Sequence, residues 1–383
     1  MARVKLKDVI IRVNTKVDKD NTDLIYYVGG EHVESENIRV EKRGLIAGST
    51  IGPMFYYGFK AGDFLLVSRN PHLKKAGLVD FDGICSEKTF VLATANPEVL
   101  LPEFLPFTLQ NDRFWEYAYK NRHGSTNTFI NWSTLSNYEF DLPDLDTQYK
   151  LAKILWSINN TREAYKKLIT ATDELVKSQF IERFGIPGTD PFEWGLTTLG
   201  ECSEINPRRP RDMKTNADYS FVAMPSVSED GRIDASIERP FSEVCKGFTY
   251  FAENDVLFAK ITPCMENGKG GVAKGLKNKA GFGSTEFHVL RPLKGISDPY
   301  WLYIITMFPK FRSDAEKVMT GTGGQRRVPA TYLSEYRIAL PPIELQEQFA
   351  AYVQQSDKSK FELEQALSEL TDMYKSIIKE NLG

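Results

Sequence analysis

From residue 151 to 176 tolerant or apolar side chains return at alternating steps of four and three. They fall at Leu151, Leu155, Ile158, Arg162, Tyr165, Ile169, Thr172 and Val176. This spacing predicts a helix with a coiled-coil seam. A constant step of 198 residues carries the seam to Phe349, Val353, Ser356, Lys360, Leu363, Leu367, Leu370 and Tyr374. Both stripes weaken at the same place, INNTREA (158–164) and SDKSKFE (356–362). A polar midpoint of this kind can fix register and orientation. Asp144 and Asp146 after Pro143 open one helix, and Pro342, Glu344 and Glu347 open the other. Gly185 followed by Pro187 is a stop signal. Each helix of roughly 40 residues would be ~60 Å long at 1.5 Å per residue. A helix that long with one apolar stripe needs a partner, and the obvious partner is the other copy. The alternative is that each helix packs on its own domain.

The repeat begins upstream of the helices. Leu135, Ser136, Tyr138, Leu142, Pro143, Gln148 and Ala152 recur as Leu333, Ser334, Tyr336, Leu340, Pro341, Gln346 and Ala350. Such self-similarity precedes every other fold decision. The segments before the two helices also echo each other. FKAGDFLLVSR (59–69) parallels FAENDVLFAK (251–260), and GSTNTFINWSTL (124–135) parallels TGGQRRVPATYL (322–333). Short β-type runs such as DLIYYVGG and SEKTFVLAT alternate with Gly and Pro turns, which predicts mixed α/β units with a strongly bent sheet. Residues 101–121 and 301–319 each read as a helix. The chain therefore divides into a globular unit (1–140), a long helix (141–186), a second globular unit (187–340) and a second long helix (341–383). The fold class is α/β, two pseudo-repeated units joined by two long antiparallel helices.

Composition narrows the class. The 383 residues are 42% hydrophobic and 12% aromatic, enough for real cores. A net charge of −3 excludes a globally basic nucleic-acid binder and leaves local patches open. Cys85, Cys202, Cys245 and Cys264 form no CxxC pair and read as reduced thiols. The first twenty residues have no signal-peptide core, and no apolar run approaches the ~20 residues of a membrane span. A soluble, cytoplasmic protein without membrane association is expected.

Catalytic constellations are missing from the sequence. Asn70-Pro71-His72, Asn96-Pro97-Glu98 and Asn206-Pro207-Arg208 lack the second proline and aromatic of an amino-methyltransferase loop. Gly321-Thr322-Gly323-Gly324 is a near miss for GxGxxG because Arg326 takes the last glycine position. His32, His72, His123 and His288 have no metal-ligand spacing, and neither a P-loop nor a GxSxG elbow occurs. No catalysis, metal or cofactor on this chain is expected.

Basic clusters on glycine-bearing loops are present instead. In the first unit they contain Lys42 and Arg43, then Arg69, Asn70, His72, Lys74 and Lys75, then Arg122. The second unit offers Arg208, Arg209 and Arg211, then Lys260, Asn267, Lys269 and Lys274, then Gln325, Arg326 and Arg327. Cations on such loops can approach phosphates, while Asn, Gln and Arg can reach base edges. An ordinary solvated surface is the competing reading for any one cluster. Recurrence in both units favours the nucleic-acid reading without identifying which residues touch bases.

With these residues in hand, the chain resembles the DNA-specificity (S) subunit of a type I restriction–modification system. The resemblance rests on the duplicated Leu-Ser-x-Tyr, Leu-Pro, Gln and Ala tract. It rests also on DVLFAKITPCMENGKGGVA, GSTEFHVLRP and GTGGQRRVPATYL, and on SRNPHLKKAGLVDFDGICSEKTFVL. It implies one target recognition domain per half of a bipartite, asymmetric site in double-stranded DNA, with the helices fixing the spacer. It further implies docking of two methyltransferase (M) subunits that carry S-adenosylmethionine, and a motor–nuclease (R) subunit for restriction. The second helix tract, with 4 basic and 8 acidic residues from 341 to 383, suits protein binding better than phosphate binding. The alternative is a related system whose partner polypeptide combines methylation and cleavage. A coiled-coil scaffold with no DNA role is the third possibility.

Overall fold

The computed structural model describes residues 2–322 and 324–382; Gly323 and Gly383, both within motifs named above, lie outside them. The chain forms two compact units, Met1–Lys166 with Gln365–Gly383, and Lys167–Glu364. Each unit takes one half of each long helix, Leu145–Phe184 and Ile343–Leu382.

The strands of the first unit are β1 (Ala2–Lys5), β2 (Ile10–Val13), β3 (Tyr26–Val28), β4 (Gly44–Leu45), β5 (Phe55–Phe59), β6 (Phe64–Val67), β7 (Ala76–Leu78), β8 (Gly83–Ser86), β9 (Thr89–Thr94) and β10 (Glu139–Leu142). Two four-stranded sheets run in the orders β2-β9-β6-β7 and β4-β3-β8-β5, and β1 pairs with β10. Among the described strand pairs of this unit, only β3 with β8 is parallel.

In the second unit the strands are β11 (Leu196–Thr198), β12 (Ser203–Ile205), β13 (Asp218–Val222), β14 (Glu238–Pro240), β15 (Thr249–Ala252), β16 (Val256–Ala259), β17 (Gly270–Val272), β18 (Ala280–Gly283), β19 (Phe287–Pro292) and β20 (Arg337–Ala339). Their orders are β12-β19-β16-β17 and β14-β13-β18-β15, with β11 on β20. The parallel pair is again the central one, β13 with β18.

Where one strongly bent sheet was expected, each unit has two four-stranded sheets beside its two-stranded one. A turn with a left-handed residue makes the switch between them, Gly62 (φ 96°) between β5 and β6 and Asn254 (φ 70°) between β15 and β16. An aspartate closes each turn: Asp63 accepts from the Lys60 amide at 2.7 Å, Asp255 from the Ala252 amide at 2.7 Å.

Two helix expectations are corrected. Residues 101–121 form two helices, Leu105–Leu109 and Asp112–Lys120, because the Asn111 side chain caps a new start by accepting from the Phe114 amide at 2.9 Å. Residues 301–319 likewise belong to Pro299–Met307 and Pro309–Lys317. Pro309 forces Phe308 to extended geometry (ψ 136°), which ends the first helix. The first long helix starts only at Leu145, since 139–142 is strand β10. Its stop follows the sequence signal: Gly185 is left-handed at φ 79° and its amide donates to Ile181 O at 2.8 Å.

The repeated glutamines join helix to globular unit. Gln148 is fully buried, donates Nε2 to Val99 O and Pro143 O at 2.8 Å each, and accepts from the Leu101 amide at 2.9 Å. Gln346 does the same with Ile296 O (3.0 Å), Pro341 O (2.8 Å) and the Asp298 amide (3.0 Å). In the first unit Leu151, Leu155, Ile378 and Leu382 enter one core with Phe64, Phe107 and Phe114. In the second unit Val176, Phe180, Phe349 and Val353 enter one core with Phe258, Trp301 and Phe311. Burial of each such side chain contributes about 1.5–3 kcal/mol.

Candidate nucleic-acid interface and helix seam

In the first unit, four of the residues picked from the sequence meet on one surface. Asn70 (φ 49°) and Lys74 (φ 47°) hold the single turn Pro71–Leu73 between two left-handed residues. Arg69 bridges to Phe129, and Phe129 pairs in turn with His123 through hydrogen bonds of 2.7 and 3.0 Å. The Asn70 amide donates to Thr128 O at 2.7 Å, which fixes this loop on the turn. His72 meets the Tyr119 ring edge-on, and the Arg122 guanidinium lies 3.7 Å from the Tyr119 ring centroid. Arg69, Asn70, His72 and Arg122 therefore surround two exposed rings, Tyr119 and Phe129. Neither ring was picked from the sequence. Phe129 carried a signal there, because it occupies the repeat position of Arg327.

The other cations of this unit are engaged within it. Lys74 lies between Glu36 (2.8 Å) and Asp112 (3.0 Å). Burial works against its charge, but the two carboxylates outweigh it and raise the ammonium above its ordinary value. Lys75 donates to Gly30 O at 2.7 Å, and Lys42 pairs with Glu34 at 2.6 Å. Arg43 stacks on Tyr26 and Phe81, 4.2 and 4.5 Å from their centroids.

The second unit gathers Lys260, Gln325, Arg326 and Arg327. Arg327 pairs with Ile261 and Thr320 by backbone bridges and grips Glu286 with two hydrogen bonds, 2.9 and 2.8 Å. That bond is the main reason the Glu286 carboxyl sits below its usual range. Burial, with Arg327 nearby, pulls Lys260 down against the pull of Glu286. The Gln325 carbonyl accepts from Arg327 Nη1 at 3.1 Å, and Arg326 lies 3.5 Å from Glu316. Asn267 is exposed beside a hollow that Glu266 and Glu316 also line. Lys269 reaches Met224 O at 3.4 Å, and Lys274 stands 5.3 Å from the Tyr300 ring centroid. Arg208, Arg209 and Arg211 are exposed on the loop after β12; Arg209 lies over Phe241 at 5.0 Å. Arg208 and Arg211 make no ion pair among the described residues.

The predicted seam positions fall in both units. In the first, Leu151, Leu155 and Ile158 are buried, Tyr165, Leu367, Leu370 and Tyr374 half-buried. Arg162 donates Nε to Thr371 Oγ1 at 3.1 Å. In the second, Val176, Phe349 and Val353 are buried, Ile169 and Leu363 half-buried. Phe349 meets Phe180 and Phe184 with centroids 5.5 and 5.3 Å apart. Lys360, which replaces an apolar residue at its turn of the stripe, is buried and lies 2.9 and 3.0 Å from the two Asp173 oxygens.

All four cysteines are free, and burial pushes the Cys85 and Cys202 thiols up to about 12. Among the described residues no His, Cys, Asp and Glu group is arranged to hold a metal, and no helix is long and apolar enough to cross a membrane.

Comparison with known proteins adds three findings. Residues 191–371 match the model of the type I restriction modification DNA specificity domain. The specificity subunit of the Escherichia coli type I restriction enzyme EcoAI is 35% identical over 233 residues, covering 58% of this chain and 39% of that protein. For the EcoEI specificity subunit of Escherichia coli the figures are 38% over 191 residues, 47% and 32%. The chain thus matches well under half the length of these relatives. Among solved structures, the type I restriction–modification S subunit from M. genitalium superposes with a TM-score of 0.59 at 14% identity, covering 100% of this chain and 96% of that one. A chain from a study of complex assembly and conformational transition of a type I R-M system gives 0.55 at 20%, covering 99% and 97%. At these identities the likeness concerns the fold.

Proposed function

We propose, from a chain whose residues 191–371 belong to the type I restriction-modification DNA specificity family, that the molecule is the DNA sequence-recognition subunit of such a complex. It acts as a soluble, cytoplasmic, non-catalytic subunit. Residues 1–140 and 187–340 serve as two target recognition domains, each reading one half of a bipartite, asymmetric site. The helical tracts 141–186 and 341–383 pair as antiparallel spacers, set the distance between half-sites and dock two methyltransferase subunits. Those partners carry S-adenosylmethionine and flip the target adenine; a motor–nuclease subunit completes restriction.

One observation carries this reading. The strand order and the glutamine staple are the same in both units, while the loops differ in side chains and in backbone path. Equivalent scaffolds with different loops suit two different half-sites. In the first unit, Arg69, His72 and Arg122 contact phosphates around Tyr119 and Phe129, and Asn70 lies within reach of base edges. In the second, Arg208 and Arg211 supply the uncommitted cations. The experiment is a map of methylated adenines in a host carrying this gene with its methyltransferase partner. The expected result is two unlike half-sites with a fixed spacer. A single uninterrupted site, or no methylation dependent on this chain, overturns the reading.

A further inference from the structure

The 198-residue step places two cavities at equivalent points, one inside each unit. In the second unit, Asp357, Lys360 and Asp173 line a cavity of about 260 Å³. In the first, Asn159, Arg162 and Thr371 occupy the same repeat positions and line one of about 680 Å³. The larger volume lies in the range of small-molecule sites, about 300–1,000 Å³.

The two cavities treat their central cation differently. Lys360 is answered from inside the protein, by Asp173 at 2.9 and 3.0 Å and by Asp230 at 3.6 Å. Both acids at the repeat positions are missing from the first unit: Asn159 stands for Asp357, and Thr371 for Asp173. Arg162 keeps one bond to the Thr371 hydroxyl and lies 5.2 Å from the Tyr374 ring centroid. Asn159 is only 4% exposed and lines the cavity, yet its Nδ2 donates to nothing among the described residues. A buried donor without an acceptor carries a desolvation penalty that a bound acceptor relieves.

The charge around the cavity says what kind of partner fits. Of the three carboxylates on its wall, Glu36 and Asp112 are both engaged by Lys74. That leaves Glu116 against Arg113, Arg162, Lys375 and Lys379. A carboxylate brings one negative charge, whereas a phosphate brings roughly −1.5 to −2 at neutral pH and three acceptor oxygens. We propose that the first unit's cavity binds a small phosphate-bearing ligand of up to mononucleotide size, its oxyanion taking the place that Asp357 and Asp173 fill in the second unit. Asn159 Nδ2 donates to the anion and Arg162 supplies the charge; Lys375 and Lys379 attract it to the opening.

This inference does not depend on DNA reading, and its test contains no DNA. The full chain is titrated with inorganic phosphate, AMP and glutarate, followed by calorimetry and thermal melting. Phosphate and AMP should bind and raise the melting temperature, and glutarate should bind more weakly. Thr371→Asp supplies the internal acid that the second unit has, and Arg162→Gln removes the charge. Each should weaken phosphate or AMP binding at least about tenfold, as expected for one charged hydrogen bond. The ligand-free melt of each variant shows that it is folded. Three results overturn the proposal: no binding of phosphate or AMP, binding undiminished in both variants, or glutarate binding as tightly as phosphate.

Discussion

In the first unit Ser68, Lys88 and Phe129 meet at the point where, in the second, Lys260, Glu286 and Arg327 meet. The backbones there make equivalent hydrogen bonds. Ser68 N donates to Lys88 O (2.7 Å) and Ile130 N to Ser68 O (2.9 Å); Lys260 N donates to Glu286 O (2.9 Å) and Val328 N to Lys260 O (2.9 Å). The side chains then part company. Phe129 is exposed next to Arg69, and Lys88 pairs with its neighbour Glu87. Arg327 is instead held by Glu286. Counting cations along the sequence therefore misjudges the charge a loop presents, because a cation bonded to a carboxylate contributes little field. This hydrogen-bond pattern is common to the two units, and the charge each presents at this point is decided by which side chains stay uncommitted.

The strongest test addresses what the units share. Gln148→Ala and Gln346→Ala each remove three hydrogen bonds at a buried junction and leave three backbone groups unsatisfied. Each should cost about 4 kcal/mol, measured by urea unfolding of the full chain. A large loss in one variant and a loss below about 1 kcal/mol in the other would break the equivalence of the two junctions.

A somewhat smaller effect should separate the units. Lys360 is buried beside Asp173 and Asp230, so Lys360→Met leaves Asp173 without its cation, while Asp230 keeps Arg232, and should cost about 2 kcal/mol. Arg162 has one hydrogen bond, to the Thr371 hydroxyl, with the Tyr374 ring beside it, and Arg162→Met should cost about 1 kcal/mol. Equal losses in the two melts would mean that the charge pairing in the second unit adds nothing.

Much of this was legible in the sequence. The 198-residue offset and the two glutamines it relates were readable because period and offset survive in one dimension. Their chemistry was not: that Gln148 and Gln346 staple backbone amides and carbonyls depends on strand and loop paths that no local pattern encodes. The loops were legible only as composition. Arg69, His72 and Arg122 were picked beside Lys74 and Lys75 because all five are basic residue types. Only the fold brings Glu36, Asp112 and the Gly30 carbonyl to the last two. Helices 101–121 and 301–319 were read as single because their apolar content is continuous. Asn111 and Pro309 act through local backbone geometry, which outranked that pattern.

A pH-dependent difference should follow from Asp357, whose repeat counterpart is Asn159. Burial, added to by Asp173 and Asp230 and opposed by Lys360, raises its carboxyl to about 6. The folded value exceeds the unfolded one, so ionising this group weakens the fold as pH rises from about 4 through about 6. Asp357→Asn should therefore stabilise the chain above pH 6 and do nothing below pH 4. The side chain keeps contact with water, so the gain should be about 1 kcal/mol rather than the full value of the shift. A gain that is the same at pH 4 and pH 7 would place its origin elsewhere.

The smallest effect bears on the opening contrast most directly. Glu286→Gln takes away the charge that holds Arg327, at a cost to stability of about 0.5 kcal/mol, since the arginine side of the pair is solvent-exposed. If the side chains at this point decide what each unit offers to DNA, the released guanidinium becomes available for a phosphate. The slope of log affinity against log salt should then steepen by about 0.9, measured on duplex DNA with the methyltransferase-bound chain. Lys88→Gln in the first unit provides the reference: its ammonium is already paired with Glu87 and has no cation to release, so the slope should not steepen. A Glu286→Gln slope equal to that of the unaltered chain would mean that Arg327 faces away from the duplex, and that the second unit meets DNA through Arg208 and Arg211 alone.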